Sequence, residues 1–264
     1  MTAEHRTTSK DGTEIAFERT GAGTPLVLVS AALQGRATYR PLAEALSGHF
    51  TVLNYDRRGR GGSGDTAPYA VEREIEDLGA VIAEAGGTAS AYGHSSGAAL
   101  VQHAAAYGLP IDKIVLHEPP FGSGTEEERQ AERQEAERIS ALLARGRHGD
   151  AVRTFLEPMG LPPQVLDDLS RDAAMRAHAP TLRYDPFEVM SEYSRGGRTP
   201  AEQAAGVTTA ALVLAGGASP EWMIEAARRI ADALPKGRLH ILQDQEHVVQ
   251  PEILAPVLTD FLTG

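Results

Sequence analysis

The stretch "TASAYGHSSGAALVQHAAAYG", residues 88 to 108, limits the fold more than any other. A short apolar run with strand character meets a helix-like run, with only Gly93-His94-Ser95-Ser96-Gly97 between them. A chain that turns from a buried strand into a helix over so few residues needs small residues two before and two after the apex. Gly93 and Gly97 stand in those places around Ser95, whereas Ser96 would be flanked by His94 and Ala98. The side chain at the apex stands clear of the sheet, and the N-terminus of the following helix turns positive potential toward it. Small residues also suit any tight turn, so the motif gains weight from its strand-to-helix setting and from the partners found elsewhere.

The flanking sequence supplies that setting. "PLVLVS" and "TVLNYD" are short apolar runs bounded by turn residues, as strands buried on both faces should be. "TEIAFERTG" alternates like a half-exposed hairpin strand behind the turn "KDG". Helical spacing recurs at Leu42, Ala45 and Leu46, and again at Ile75, Leu78 and Ile82 before Gly86 and Gly87 end that run. After "KIVLHEPPF" the pattern breaks into a helical stretch at 121 to 200, opened by the capping pair Thr125 and Glu128. Within it "LPPQVLDDLSRDAAMRAHAP" and "DPFEVMSEYSRGG" read as two further helices, and strand logic resumes at "TTAALVLAGG". The expected fold is α/β: a mostly parallel central sheet with helices on both faces, formed by residues 1–120 and 201–264, with 121–200 as a helical cap insertion.

Composition narrows the partners. A net charge of −11 argues against nucleic acid, which demands clustered cations. With no cysteine there is no disulfide, thiolate zinc site or cysteine nucleophile. The polar N-terminus lacks the apolar core of a signal peptide, and no run approaches the roughly 20 apolar residues of a membrane span. A soluble, cytoplasmic protein that meets a small molecule, and neither nucleic acid nor membrane, is expected. Oligomeric state is not legible.

A serine nucleophile needs a base, and His247 is the best placed of nine histidines, in the loop "QDQEH" between the last strand run "RLHIL" and the terminal helix. Considered alone, a loop histidine would be unremarkable; beside Ser95 it becomes the candidate base. His240 alternates within a strand and reads as structural.

These features resemble the α/β-hydrolase superfamily along the whole chain. "LNYDRRGRGGSG" resembles its D-x-R-G-x-G-x-S segment, and "ALVLAGG" resembles the strand before its usual acid loop. The resemblance implies a serine-nucleophile member without cofactor or metal, with a Ser-acid-His triad and an oxyanion hole. Two departures stand out. Where the family often has His-Gly after its third strand, this chain has Ser30-Ala31-Ala32; a backbone donor needs no particular side chain, so the N–H of Ala32 can join that of Ser96, with Gln34 as an added side-chain donor. Where the acid usually follows "LAGG", this chain has Ser219, whose hydroxyl cannot stabilise an imidazolium. Some family members place the acid after the sixth strand, where this chain has Glu118, leaving an apolar strand that gives it reason to seek a partner. Asp244 is the second candidate, although so local a pairing with His247 is geometrically awkward.

The implied reaction is cleavage of an ester, lactone or related acyl bond by Ser95, His247 and Glu118. Carbon–carbon hydrolases, lyases and cofactor-free peroxidases use the same site, and a non-catalytic small-molecule-binding homologue is the other alternative. Residues "GRGGSG" match G-x-G-x-x-G, but three residues part them from the strand and Pro68 precedes the helix, against a nicotinamide site. "HEPPF" begins like a zinc motif, yet two prolines forbid its helix. Substrate choice should rest with the insertion, whose candidate walls are Phe155, Met159, Met175, Tyr184, Phe187, Met190 and Tyr193, together with Trp222 beyond it.

Overall fold

The computed structural model describes residues 3–122, 124–191 and 196–264. Eight strands form one sheet in the order β1-β2-β4-β3-β5-β6-β7-β8. They are β1 (Glu4–Thr8), β2 (Glu14–Thr20), β3 (Thr24–Val29), β4 (Phe50–Tyr55), β5 (Ala89–His94), β6 (Ile111–His117), β7 (Ala210–Gly216) and β8 (Gly237–Leu242). The β1–β2 and β2–β4 pairs are antiparallel and all the others parallel. The apolar runs read from sequence become β3 to β7, each nearly continuous in its burial. Parallel strands need that, because crossover helices cover both of their faces.

Helices α1 (Arg36–Leu46) and α10 (Pro251–Thr263) cover one face, where Tyr39, Leu42, Leu46, Leu254 and Leu258 pack on Leu28, Val52 and Leu214. The other face is covered by α2 (Val71–Glu84), α3 (Ser96–Tyr107) and α9 (Glu221–Ala233), through residues such as Ile75, Leu78, Leu100 and Ile230. The order of strand addition reverses at β3: β4 lies on one side of it and β5 on the other. The crevice at such a switch point, outside the carboxyl ends of the strands, is where this class of sheet binds ligands.

Between β6 and β7 the described chain forms α4 (Glu126–Ala144), α5 (His148–Leu156), α6 (Pro163–Arg171), α7 (Ala173–His178) and α8 (Pro200–Ala204), with three single-turn helices among them. Ile139, Val152, Leu166 and Leu182 form a separate apolar cluster there, joined by Leu33 from the loop after β3. Thr125 caps α4 by accepting from the N–H of Glu128, as its spacing implies.

Four elements differ from the sequence reading. β2 is buried, not half-exposed, because it lies between β1 and β4, and its Glu18 is covered by Arg36 and Arg40. β1 escapes a hydrophobicity reading because it is an edge strand with little burial. The single helix expected over 161–180 is two: Asp172 leaves the helical region (φ −59°, ψ 130°) and caps α7 through Met175 N. Of the helix expected over 185–197, Asp185–Val189 forms a single π turn, and residues 192–195 lie outside the described residues.

Candidate active site

The turn between β5 and α3 is as tight as its sequence requires. A Cβ on Gly93 would lie 2.3 Å from the carbonyl oxygen of Gly97, and one on Gly97 would lie 2.3 Å from that of Val29. Both glycines are therefore steric necessities, and the second brings the first turn of α3 against the end of β3. Ser95 at the apex has φ 54° and ψ −121°, a backbone conformation that L-residues avoid. Its N–H donates to His117 O (2.8 Å) and its carbonyl accepts from Ala98 N (2.8 Å), so bonds on both sides hold the strained residue.

Ser30-Ala31-Ala32 leaves β3 beside that turn. The N–H groups of Ala32 and Ser96 donate to no other described group. Gln34 does not point its amide at Ser95; its Oε1 lies 2.7 Å from the Tyr39 hydroxyl, which accepts from Ala31 N (3.1 Å).

Glu118 and His247 meet. Glu118 follows β6 with φ 48°, its N–H donates to Leu214 O (2.9 Å), and its side chain is wholly buried. One carboxylate oxygen accepts from Gly216 N (2.7 Å); the other is hydrogen-bonded to His247 Nδ1. Burial pushes the Glu118 carboxyl up, but His247, Gly216 N–H and the nearby Ser219 hydroxyl outweigh it and hold the group below the usual carboxylate range. Ser219 itself is buried and its hydroxyl makes no full hydrogen bond. The loop after β7 thus supplies no carboxylate of its own, and the N–H of Gly216 at the end of β7 anchors Glu118 instead. Asp244 is exposed in the turn after β8, and no contact joins it to His247. His247 is part-buried, and no hydrogen bond links it to the Ser95 hydroxyl in this resting arrangement, which is common before substrate binds.

Residues outside the sequence reading complete the surroundings. β5 and β6 pair His94 with His117, whose rings stack at 4.7 Å. His94 Nε2 lies 2.9 Å from the carbonyl oxygen of His247. Arg57 and Arg60 reach into the core beneath the turn. Arg57 forms a two-point pair with Glu74 (2.6 and 2.8 Å), meets Asp185 Oδ1 at 3.0 Å and donates to Ser96 Oγ (3.0 Å). Arg60 donates to Ala31 O (2.9 Å) and to Asp185 Oδ2 (2.6 Å). The "DRRGRGGSG" glycines therefore fold a loop that buries arginines and open no helix. In the sequence, arginines beside an apolar strand were the one available signal of this network; the partner Asp185 lies 125 residues from Arg60.

A cavity of about 490 Å³ opens onto Ser95. Phe121, Phe155, Met159, Met190, Trp222 and Met223 give it a mainly apolar wall, with Glu128, Glu132, Glu135 and Arg229 among its polar members. Of the other candidate wall residues, Met175 packs in the apolar cluster of the insertion, Tyr184 stacks on Tyr69 (3.8 Å), and Phe187 faces a smaller depression. Tyr193 lies outside the described residues. Among those residues no cluster of His, Asp and Glu could hold a metal ion, and no helix is long and apolar enough to cross a membrane.

Comparison with known proteins agrees with this fold. A sequence model of the alpha/beta hydrolase family matches residues 26–256. The crystal structure of an alpha/beta hydrolase from Sphaerobacter thermophilus is 45% identical, with a TM-score of 0.85 over 98% of this chain and 100% of that one. The esterase RhEst1 from Rhodococcus sp. shares the fold at 21% identity, with a TM-score of 0.70 over 100% and 99% of the two chains. RutD of Azorhizobium caulinodans, provisionally named a carbamate hydrolase, is 35% identical over 74 residues, a match spanning 28% of either protein.

Proposed function

The chain belongs to the alpha/beta hydrolase family, and from that premise we propose that it is a serine hydrolase cleaving an ester, lactone or related acyl bond of a small, largely apolar molecule. Ser95 attacks the carbonyl carbon while His247 accepts the hydroxyl proton and then passes it to the leaving group. Glu118 holds the His247 tautomer that has Nε2 free and stabilises the imidazolium as it forms. The N–H groups of Ser96 and Ala32 bind the oxyanion. Water, deprotonated by the same histidine, then releases the acyl group, and no step requires a cofactor.

One observation carries this reading: buried Glu118 is hydrogen-bonded to His247, whose ring lies against that of His94 next to the strained Ser95, and Ser95 lines an apolar cavity. The helices between β6 and β7 act as the cap, contributing Phe155, Met159 and Met190 to the wall that takes the apolar part of the substrate.

Fluorophosphonate labelling followed by intact mass tests the proposal without knowledge of the substrate. Wild type should gain one adduct and Ser95→Ala none. A wild type that stays unlabelled, and that turns over no member of a p-nitrophenyl ester series, would overturn it in favour of a binding protein.

A further inference from the structure

Among the described residues, His94, which precedes Ser95, makes the only hydrogen bond to the backbone of the candidate base. Among the described residues, His247 N and O take part in no backbone–backbone bond, and the sole contact is from His94 Nε2 to His247 O at 2.9 Å. The two rings also lie against each other, with centroids 4.6 Å apart and planes at 37°. On its other side His94 stacks on His117. Elsewhere in the loop that carries His247, Val248 is 66% exposed, Val249 packs on the core, and Gln245 O accepts from Ala218 N (2.8 Å).

The protons of this contact can be assigned. A carbonyl oxygen only accepts, so His94 Nε2 carries hydrogen. Burial, with the charge of His247 acting in the same direction, pushes His94 down to about 3, so the ring is neutral and Nδ1 is an acceptor. Tyr39 Oη lies 2.8 Å from that Nδ1 and must donate to it. Gln34 Oε1 lies 2.7 Å from the Tyr39 hydroxyl; since the one hydrogen of Tyr39 goes to His94, the Gln34 amide is assigned turned over, with its NH₂ group toward Tyr39. The bonds then run in one direction, from Ala31 N–H to Tyr39, from Tyr39 O–H to His94, and from His94 N–H to the His247 carbonyl.

We propose that His94 is a positioning residue, a latch that holds the His247 loop over the Ser95 turn and ties it through Tyr39 to the loop bearing Ala32. Glu118 grips the imidazole at Nδ1 and His94 grips the same residue at its carbonyl, so two separate points set where Nε2 lies. With the second point lost, the ring keeps its acid but swings about it. Misplacing a catalytic group by about 1 Å is enough to cost on the order of 10²-fold in rate. The proposal rests on the hydrolase reading for its effect on rate, but not for its effect on the His247 ring.

Three variants test it. His94→Phe keeps an aromatic ring between His117 and His247 and removes both hydrogen bonds. His94→Gln restores an N–H near the place of Nε2, and His94→Asn is too short to reach the His247 carbonyl. Each is measured for kcat and KM on p-nitrophenyl butyrate, for thermal unfolding, and for the downfield proton resonance of His247 Nδ1–H in its bond to Glu118. For His94→Phe, kcat should fall on the order of 10²-fold with KM within about threefold, and the resonance should broaden away. His94→Gln should recover most of the rate and the resonance, and His94→Asn neither. A His94→Phe protein with wild-type kcat and a sharp resonance would overturn the latch. So would Gln and Phe variants equally impaired, since packing alone would then explain the loss. If the wild type lacks ester turnover altogether, the hydrolase reading fails, and the resonance by itself still decides whether His94 positions His247.

Discussion

Glu118 and His247 are hydrogen-bonded although 129 residues separate them and β7 runs between the strands that carry them. The carboxylate crosses beneath the end of β7, and the N–H of Gly216, the last residue of that strand, bonds its other oxygen. The carboxylate that meets His247 thus lies one strand inward from the loop after β7, and the end of β7 supports it.

Replacing Glu118 by Gln keeps size and removes charge, and it presents an amide to His247 Nδ1 that favours the wrong tautomer. Fluorophosphonate labelling should slow about 10²- to 10⁴-fold. Asp244→Asn should label like wild type, because Asp244 is exposed and apart from His247. The reverse pattern would make Asp244 the acid.

Ser219 stands in the loop after β7, where the resemblance would place an acid, and makes no full hydrogen bond. Ser219→Ala should alter the labelling rate by less than about threefold, whereas Ser219→Asp should slow it strongly by placing a second carboxylate beside Glu118. A large loss in the alanine variant would show that the hydroxyl is a necessary prop for Glu118.

Gly216→Ala places a methyl group 2.4 Å from the backbone carbonyl of Gln245 and 2.8 Å from that of Glu246, both in the His247 loop. Since neither backbone oxygen can rotate away, the loop must shift. Stability should drop by about 1–3 kcal/mol in urea unfolding, with labelling reduced beyond what that loss explains. Wild-type labelling at reduced stability would mean that the loop moves without disturbing His247.

Asp185 lies between Arg57 and Arg60 in the interior, and burial raises its carboxyl while the two guanidiniums lower it further, so it stays charged. Asp185→Asn strands positive charge in the core and should cost about 3–5 kcal/mol. Because Arg57 and Arg60 also hold Ser96 Oγ and Ala31 O, affinity for a trifluoromethyl ketone should fall as well. Urea unfolding and inhibitor titration read the two effects separately.

Stability should fall on mild acidification through His94 and His117. Burial lowers both, His94 from 6.5 to about 3 and His117 well below its ordinary value. Between those values the unfolded chain takes up protons that the native rings refuse. The stability is therefore complete above about pH 6.5 and is lost as pH falls, with a limiting slope of about 1.4 kcal/mol per unit for each histidine. Urea midpoints measured from about pH 7 down to about pH 5 should drop less in His94→Gln than in wild type. Parallel curves would mean that His94 takes up its proton as readily in the native state as in the unfolded chain.

Much of this protein was legible in one dimension. Apolar runs of strand length alternating with helical spacing define the parallel sheet, because burial on both faces leaves no other composition open to such strands. Gly93 and Gly97 mark Ser95 because a turn that tight leaves no room for a Cβ, which is a local matter. His247 could be picked out because its loop follows the last strand run. The choice of acid was different in kind. Glu118, Ser219 and Asp244 each sit in a plausible loop, and only the side-by-side register of β6, β7 and β8 decides which carboxylate meets the imidazole. The same holds for His94 against His247 and for Asp185 between two arginines. Hydrophobic pattern and backbone sterics are written within a few residues, whereas a hydrogen bond between distant side chains exists only once packing has brought them within about 3 Å.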